Sequence, residues 1–280
     1  MSLGRDTIIT LGTSLPPSLG VFGRLQALLR NPDTDLDGIV KLLQIDPALT
    51  FQVIKLSNSA LFGMRHCSDS LEDAVARVGF GDIHQLVGLA VSRQVCQGEL
   101  RQYGIAGGRL WENAVAIAAL SAALAVAAGG DGRNAYATGL LRTIGKVILN
   151  NYIGAVRYPG EDAQPDAAVW EKSTHGLNAA EVSALLMDHW RFSSESSEAV
   201  RGHRLPEAVV AHTASAARLH LACGLIVEWG VALPGEAAGW RLDAEMQERA
   251  GVTAEQVGLA VDVAREKFSE SARIEWTCAA

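Results

Sequence analysis

This sequence is short of positive charge. Its 280 residues carry 24 Lys and Arg against 31 Asp and Glu, giving a formal net charge of -7 and a pI near 5.5. A surface that tracks phosphates needs a basic stripe, and no run of either sign stands out, so nucleic acid is not an expected partner. Cysteine is also scarce. Cys67, Cys96, Cys223 and Cys278 lie far apart with no C-x-x-C pair, which removes zinc-ribbon and redox motifs and reads as reduced thiols. No charged segment followed by an apolar one opens the chain, and with free thiols this predicts a cytoplasmic protein. The longest apolar run, Ala114 to Ala128, is fifteen Ala-rich residues, short of the roughly 20 that span a bilayer. It predicts a buried helix and no membrane partner. Internal repeats and low-complexity tracts are missing too.

Catalytic signatures are equally thin. The seven histidines, His66, His84, His175, His189, His203, His212 and His220, form no H-E-x-x-H or H-x-H cluster. His212 and His220, eight apart, could share a helix face, although packing or exposure accounts for them equally simply. Ser57, Ser59 and Ser92 lack the glycine pattern of a nucleophile elbow.

What the sequence has is helical periodicity almost everywhere, which predicts an all-α fold. Pro16-Pro17 opens a helix with Leu19, Phe22, Leu25, Leu28 and Leu29 on one side, ended by Asn31-Pro32-Asp33. Asp35 caps the next, and Asp46-Pro47 is an N-cap followed by proline at the first helical position. Ser57-Asn58-Ser59-Ala60-Leu61-Phe62-Gly63 interrupts the pattern, and Ser70 with Asp73 resembles a capping box. After Gly79-Phe80-Gly81-Asp82 a longer helix runs to Val95, and the glycines of 102–108 mark a boundary. Further helices are expected at 110–128, 135–150, 167–173, 178–190, 194–203, 207–229 and 254–269. Trp111, Trp170, Trp190, Trp229 and Trp240 read as core anchors, because no Lys or Arg interleaves them as a base-stacking platform would require.

Leu15-Pro16-Pro17, Asp46-Pro47-Ala48-Leu49, the 57–63 segment and Leu71-Glu72-Asp73-Ala74-Val75-Ala76-Arg77-Val78-Gly79 occur in the order and spacing of the HDOD domain family. The chain resembles that family over about residues 14–230. The resemblance implies an N-terminal helical lobe (14–101) packed on a degenerate HD-like helical lobe (109–230), followed by a helical extension (231–280). It also implies bacterial regulatory modules, related to HD-type metal-dependent phosphohydrolases, that work in signal transduction without demonstrated catalysis.

An HD hydrolase needs imidazole and carboxylate ligands to hold a metal that activates water. The positions that match the family's ligand motifs are Asn113, Arg142, Thr143, Ala179, Arg204 and Ser215, with His203 the one histidine retained. One imidazole cannot hold a catalytic metal against water, so neither metal nor cofactor is expected, and the chain reads as a non-enzyme. Two uses of the altered site stay open. Arg142, Lys146, His203 and Arg204 could form a pocket for an anionic small molecule or nucleotide. Alternatively the arginines form internal ion pairs, with Glu112 and Glu181 as available partners. A third feature is the corner at Asn58, Ser59 and Phe62, which reads as a structural joint and also as a surface for a signalling protein partner. The functional reading is a non-catalytic module acting through protein or ligand binding. The alternatives are a metal-dependent phosphohydrolase with an altered site and a nucleotide or cyclic-dinucleotide sensor.

Overall fold

Cap chemistry decides where the first helices begin. In a computed structural model describing residues 3–62, 68–152, 156–163, 166–208 and 211–272, α2 (Ser18–Leu29) follows the Pro16-Pro17 pair. α3 (Leu36–Leu43) starts where Asp35 accepts from the Gly38 N–H, and α4 (Pro47–Ser57) where Asp46 accepts from Leu49. Each carboxylate satisfies an N–H that helix geometry leaves free. Ser70 caps α5 (Leu71–Val95) the same way through the Asp73 N–H, while Asp73 turns to pair with Arg77. The Gly79-Phe80-Gly81-Asp82 turn is a kink within α5, with Gly79 at φ 72°. Ahead of all these lies a helix that the periodicity did not announce, α1 (Arg5–Gly12), which packs on the second half of the chain.

The second half is built around α6 (Gly107–Ala127). This helix is long and apolar enough to cross a membrane, and most of it is buried in protein. Its small alanines let α7 (Gly132–Leu141), α12 (Thr213–Leu225) and α14 (Ala254–Ala272) pack closely around it. α8 (Ile144–Tyr152), α9 (Ala167–His175), α10 (Ala179–His189) and α11 (Ser194–Gly202) complete this half, with α13 (Ala244–Ala250) against α12. Among the described residues there is no strand, only an isolated bridge between Leu100 and Ile105.

Two expectations are corrected. The single helix over 135–150 is two helices, because the chain turns at Arg142-Thr143 and the backbone there is held by side chains: Ser183 Oγ donates to the Arg142 carbonyl at 2.7 Å and accepts from the Gly145 N–H at 2.8 Å. The helix over 207–229 begins only at Thr213, after His212 adopts a left-handed φ of 59°. His212 therefore precedes the helix and shares no face with His220, which is buried and accepts from the Arg241 N–H. Gly63, His66, Cys67 and Cys278 lie outside the described residues; Cys96 and Cys223 are buried free thiols.

Candidate functional site

The turn between α7 and α8 puts two cations inside the second half. Arg142 and Lys146, one helical turn apart, are 4% and 2% exposed, so each must find a counter-charge within the protein. Arg142 Nη2 donates to Glu236 Oε2 at 2.6 Å. Lys146 Nζ donates to Glu171 Oε1 at 2.8 Å and lies 3.1 Å from Glu236 Oε1. Two buried cations thus meet two buried carboxylates, and the cluster is electrically balanced. Glu171, on α9, also accepts from the Tyr103 hydroxyl at 3.0 Å and from the Ala179 N–H at 2.7 Å. That N–H belongs to the first residue of α10, where the helix end favours a negative charge.

Two close approaches shape the cluster. A Cβ on Gly145 would lie 2.0 Å from the Ala179 carbonyl oxygen, so only glycine lets α8 pass α10 at this distance. Gly235 takes φ 72° and presses on Ala167 and Tyr158, which brings the segment carrying Glu236 against α9.

The remaining contacts converge on the Arg142 guanidinium. Asn113 Oδ1 accepts from Nη2 at 3.2 Å, and His203 Nε2 lies 3.4 Å from Nη1. His203 Nδ1 is 2.7 Å from the Val200 carbonyl, so Nδ1 carries the proton and Nε2 turns its lone pair to the arginine. Burial and the Arg142 charge hold His203 well below the ordinary histidine pKa. Burial would raise the Glu236 pKa, but Arg142, Lys146 and Arg204 overcome it and hold the carboxyl far below its usual range. For Lys146 burial acts downward and is outweighed by Glu171 and Glu236, leaving the ammonium more strongly protonated than usual.

These residues do not fit a catalytic metal. Asn113 and His203, both at ligand-type positions, are turned to a guanidinium, and Thr143 and Ala179 supply no imidazole or carboxylate. Ser215 lies elsewhere, donating to Glu195 and accepting from Arg218. Among the described residues no group of three or more His, Cys, Asp or Glu side chains forms a metal-binding set.

The expected anion pocket is likewise occupied by the chain's own carboxylates. Arg142, Lys146 and His203 do meet, but the space left beside them is about 20 Å³, room for about one water. Arg204 swings to the rim, donating to Asp166 at 3.0 Å with its guanidinium over the Trp240 ring. The ion-pair partners also differ from those expected: Glu112 faces Arg109, and Glu181 pairs with Lys172 while closing a capping box with Asn178. Glu171, Glu236 and Tyr103 were not singled out in the sequence. A signal was available in Lys146, which interrupts the apolar series Ile144, Val147, Ile148 and so called for a buried carboxylate.

At the other candidate corner, Asn58 donates to the Ser68 carbonyl at 3.0 Å and accepts from the Ser68 N–H at 2.6 Å, tying together the two ends of the segment 58–68. Phe62 is half-buried against the core, and its 3₁₀ turn packs on α14. Trp111 and Trp170 are buried, whereas Trp190, Trp229 and Trp240 are half-buried.

Comparison with known proteins follows this geometry. The family model of the HDOD domain matches residues 15–206. An uncharacterized protein of Treponema pallidum is 29% identical over 195 residues, 66% of this chain; the chain spans about a third (36%) of that relative's length. Among solved structures, an HDOD domain protein with unknown function from Geobacter sulfurreducens superposes with a TM-score of 0.73 at 18% identity, covering 97% of this chain and 99% of that one. A provisionally named signal transduction protein of Marinobacter aquaeolei gives 0.72 at 25% identity over 95% of this chain and 59% of its own. A provisionally named phosphohydrolase of Shewanella amazonensis gives 0.70 at 24% identity over 95% and 96%, a likeness of fold.

Proposed function

The chain belongs to the HDOD domain family, and from that premise we propose that it is a non-catalytic regulatory module that acts in signal transduction by binding a protein partner. The observation that carries this reading is the balanced cluster of Arg142, Lys146, Glu171 and Glu236. Hydrolysis of a phosphoester on this scaffold needs a cation with open coordination positions and a water beside it. A guanidinium paired with Glu236 and Asn113 offers neither, and two carboxylates in the same space repel a third anion. The 25% identity to a protein provisionally named for signal transduction points the same way.

The test joins chemistry to binding. The purified chain is assayed for metal by elemental analysis and for turnover of bis-p-nitrophenyl phosphate with added Mn²⁺ or Mg²⁺. The expected result is no stoichiometric metal and no turnover above buffer. Turnover that disappears in His203→Ala overturns the reading. On the binding side, cross-linking in native cytoplasm is expected to return a reproducible partner that Phe62→Asp releases.

A further inference from the structure

We propose that the groove bounded by α5, α6, α7 and α14 is a binding site for an uncharged, largely apolar small molecule carrying one hydroxyl or carbonyl group. The groove is separate from the ion-pair cluster, and the proposal does not depend on how that cluster is read.

Its size is that of a ligand site. The groove encloses about 880 Å³, against the roughly 300–1,000 Å³ of cavities that hold small molecules. Its long walls are apolar: Val115, Ala119 and Ala123 from α6 face Leu259 and Val263 from α14. Gln256, Leu259, Val263 and Lys267 recur at three- and four-residue steps, which puts them along one side of α14. The adjoining face of that helix, with Val257 and Ala264, is buried, and Ala260, also buried, lies where that face meets the groove. Leu259 is 61% exposed and Val263 49%, so the stripe presents oily surface that nothing in the described structure covers.

The inner wall supplies the polar selection. Tyr136, 4% exposed, lines the groove, and its hydroxyl has no hydrogen-bond partner. An unsatisfied buried hydroxyl is costly, and a ligand oxygen that accepts from it removes that cost. His84 stands edge-on to the Tyr136 ring with centroids 5.6 Å apart. Its Nδ1 has the Gly81 carbonyl as neighbour but makes no properly formed hydrogen bond. Both groups are neutral near pH 7: burial raises the Tyr136 pKa, and burial with Arg133 lowers His84 to about 4. The charged side chains of the lining cancel, Asp82 and Asp131 against Arg133 and Lys267. Nothing here selects a net charge, so a neutral ligand fits better than an anion or a cation.

The probe is Prodan, a neutral naphthyl ketone whose emission reports its surroundings, titrated into the full chain. Saturable one-site binding with a blue-shifted emission is expected. Ala123→Phe, which fills a half-buried wall position, and Val263→Glu, which places charge on the exposed stripe, should each weaken binding roughly tenfold or more. Tyr136→Phe should weaken Prodan roughly five- to tenfold while leaving 2-ethylnaphthalene, which has no carbonyl, unaffected. Because the hydroxyl has no partner to lose, that variant should melt no lower than the parent. Octan-1-ol should displace Prodan, and octanoate at the same concentration should not. Absence of saturable binding, or binding untouched by both Ala123→Phe and Val263→Glu, overturns the site. Equal competition by octanoate, or an unchanged affinity in Tyr136→Phe, overturns the ligand class.

Discussion

Lys146 is the side chain whose removal exposes the logic of the cluster. Its ammonium serves both carboxylates and lies 4.7 Å from the centre of the Tyr103 ring, so Lys146→Met leaves two buried negative charges facing one guanidinium. Breaking a buried pair from one side costs about 3–5 kcal/mol, because the partner stays buried without its counter-charge. Lys146→Met should lose stability on that scale in urea unfolding. Lys146→Met with Glu171→Gln should recover a good part, since the glutamine oxygen can still accept from the Ala179 N–H while its NH₂ donates to the Tyr103 hydroxyl oxygen. If single and double variants unfold alike, no carboxylate was left unpaired. The cations of this cluster were legible in the sequence because a motif with fixed spacing marks position 142 and its flanks. The carboxylates were not. Their links run from 142 to 236 and from 146 to 171, and an ion pair between distant segments leaves no periodicity to read. Glu112 and Glu181 looked equally suitable until their exposed surroundings placed them with Arg109 and Lys172.

Helices were legible where capping is local and hidden where a tertiary contact breaks an unbroken pattern. Asp35, Asp46 and Ser70 announce α3, α4 and α5 within three residues. Leu140, Leu141, Ile144, Val147 and Ile148 keep helical spacing straight through the turn at 142–143, which Ser183 imposes from α10. α1 and α13, at eight and seven residues, are too short for periodicity to single out. The glycines make the same distinction testable. Gly145→Ala pushes a methyl into the Ala179 carbonyl and should cost about 1–3 kcal/mol or more as α8 and α10 separate. Gly108, in the first turn of α6, has open space at its Cβ position, and Gly108→Ala should raise stability by about 0.4–1 kcal/mol. Thermal melts of the two variants should therefore move in opposite directions.

Across the whole molecule, pH acts through histidines kept neutral by burial. His84 is lowered to about 4 by burial and Arg133, and His203 is lowered well below its ordinary value by burial and Arg142. The unfolded chain protonates its histidines near 6.5, before the folded protein does. Their contribution to stability is therefore complete above about pH 6.5 and declines as pH falls toward the folded values, by about 1.4 kcal/mol per pH unit for each. Glu236 acts lower: its lowered pKa gives stability that is full above the unfolded carboxylate range near 4.3 and lost on further acidification. The melting temperature should be level between pH 7 and 8 and drop from pH 6.5 to 5, with a shallower drop in His84→Phe. A flat wild-type profile from pH 7 to 5 would refute this account.

The guanidinium between Asn113 and His203 changes how this protein depends on its surroundings. A metal centre can be starved by scarcity, stripped by a chelator or filled with the wrong ion. Arg142 is made with the chain and is always charged, so the centre of the second half is complete as soon as the protein has folded. On the reading proposed above, the integrity of this centre follows from folding and not from the cell's trace-element supply.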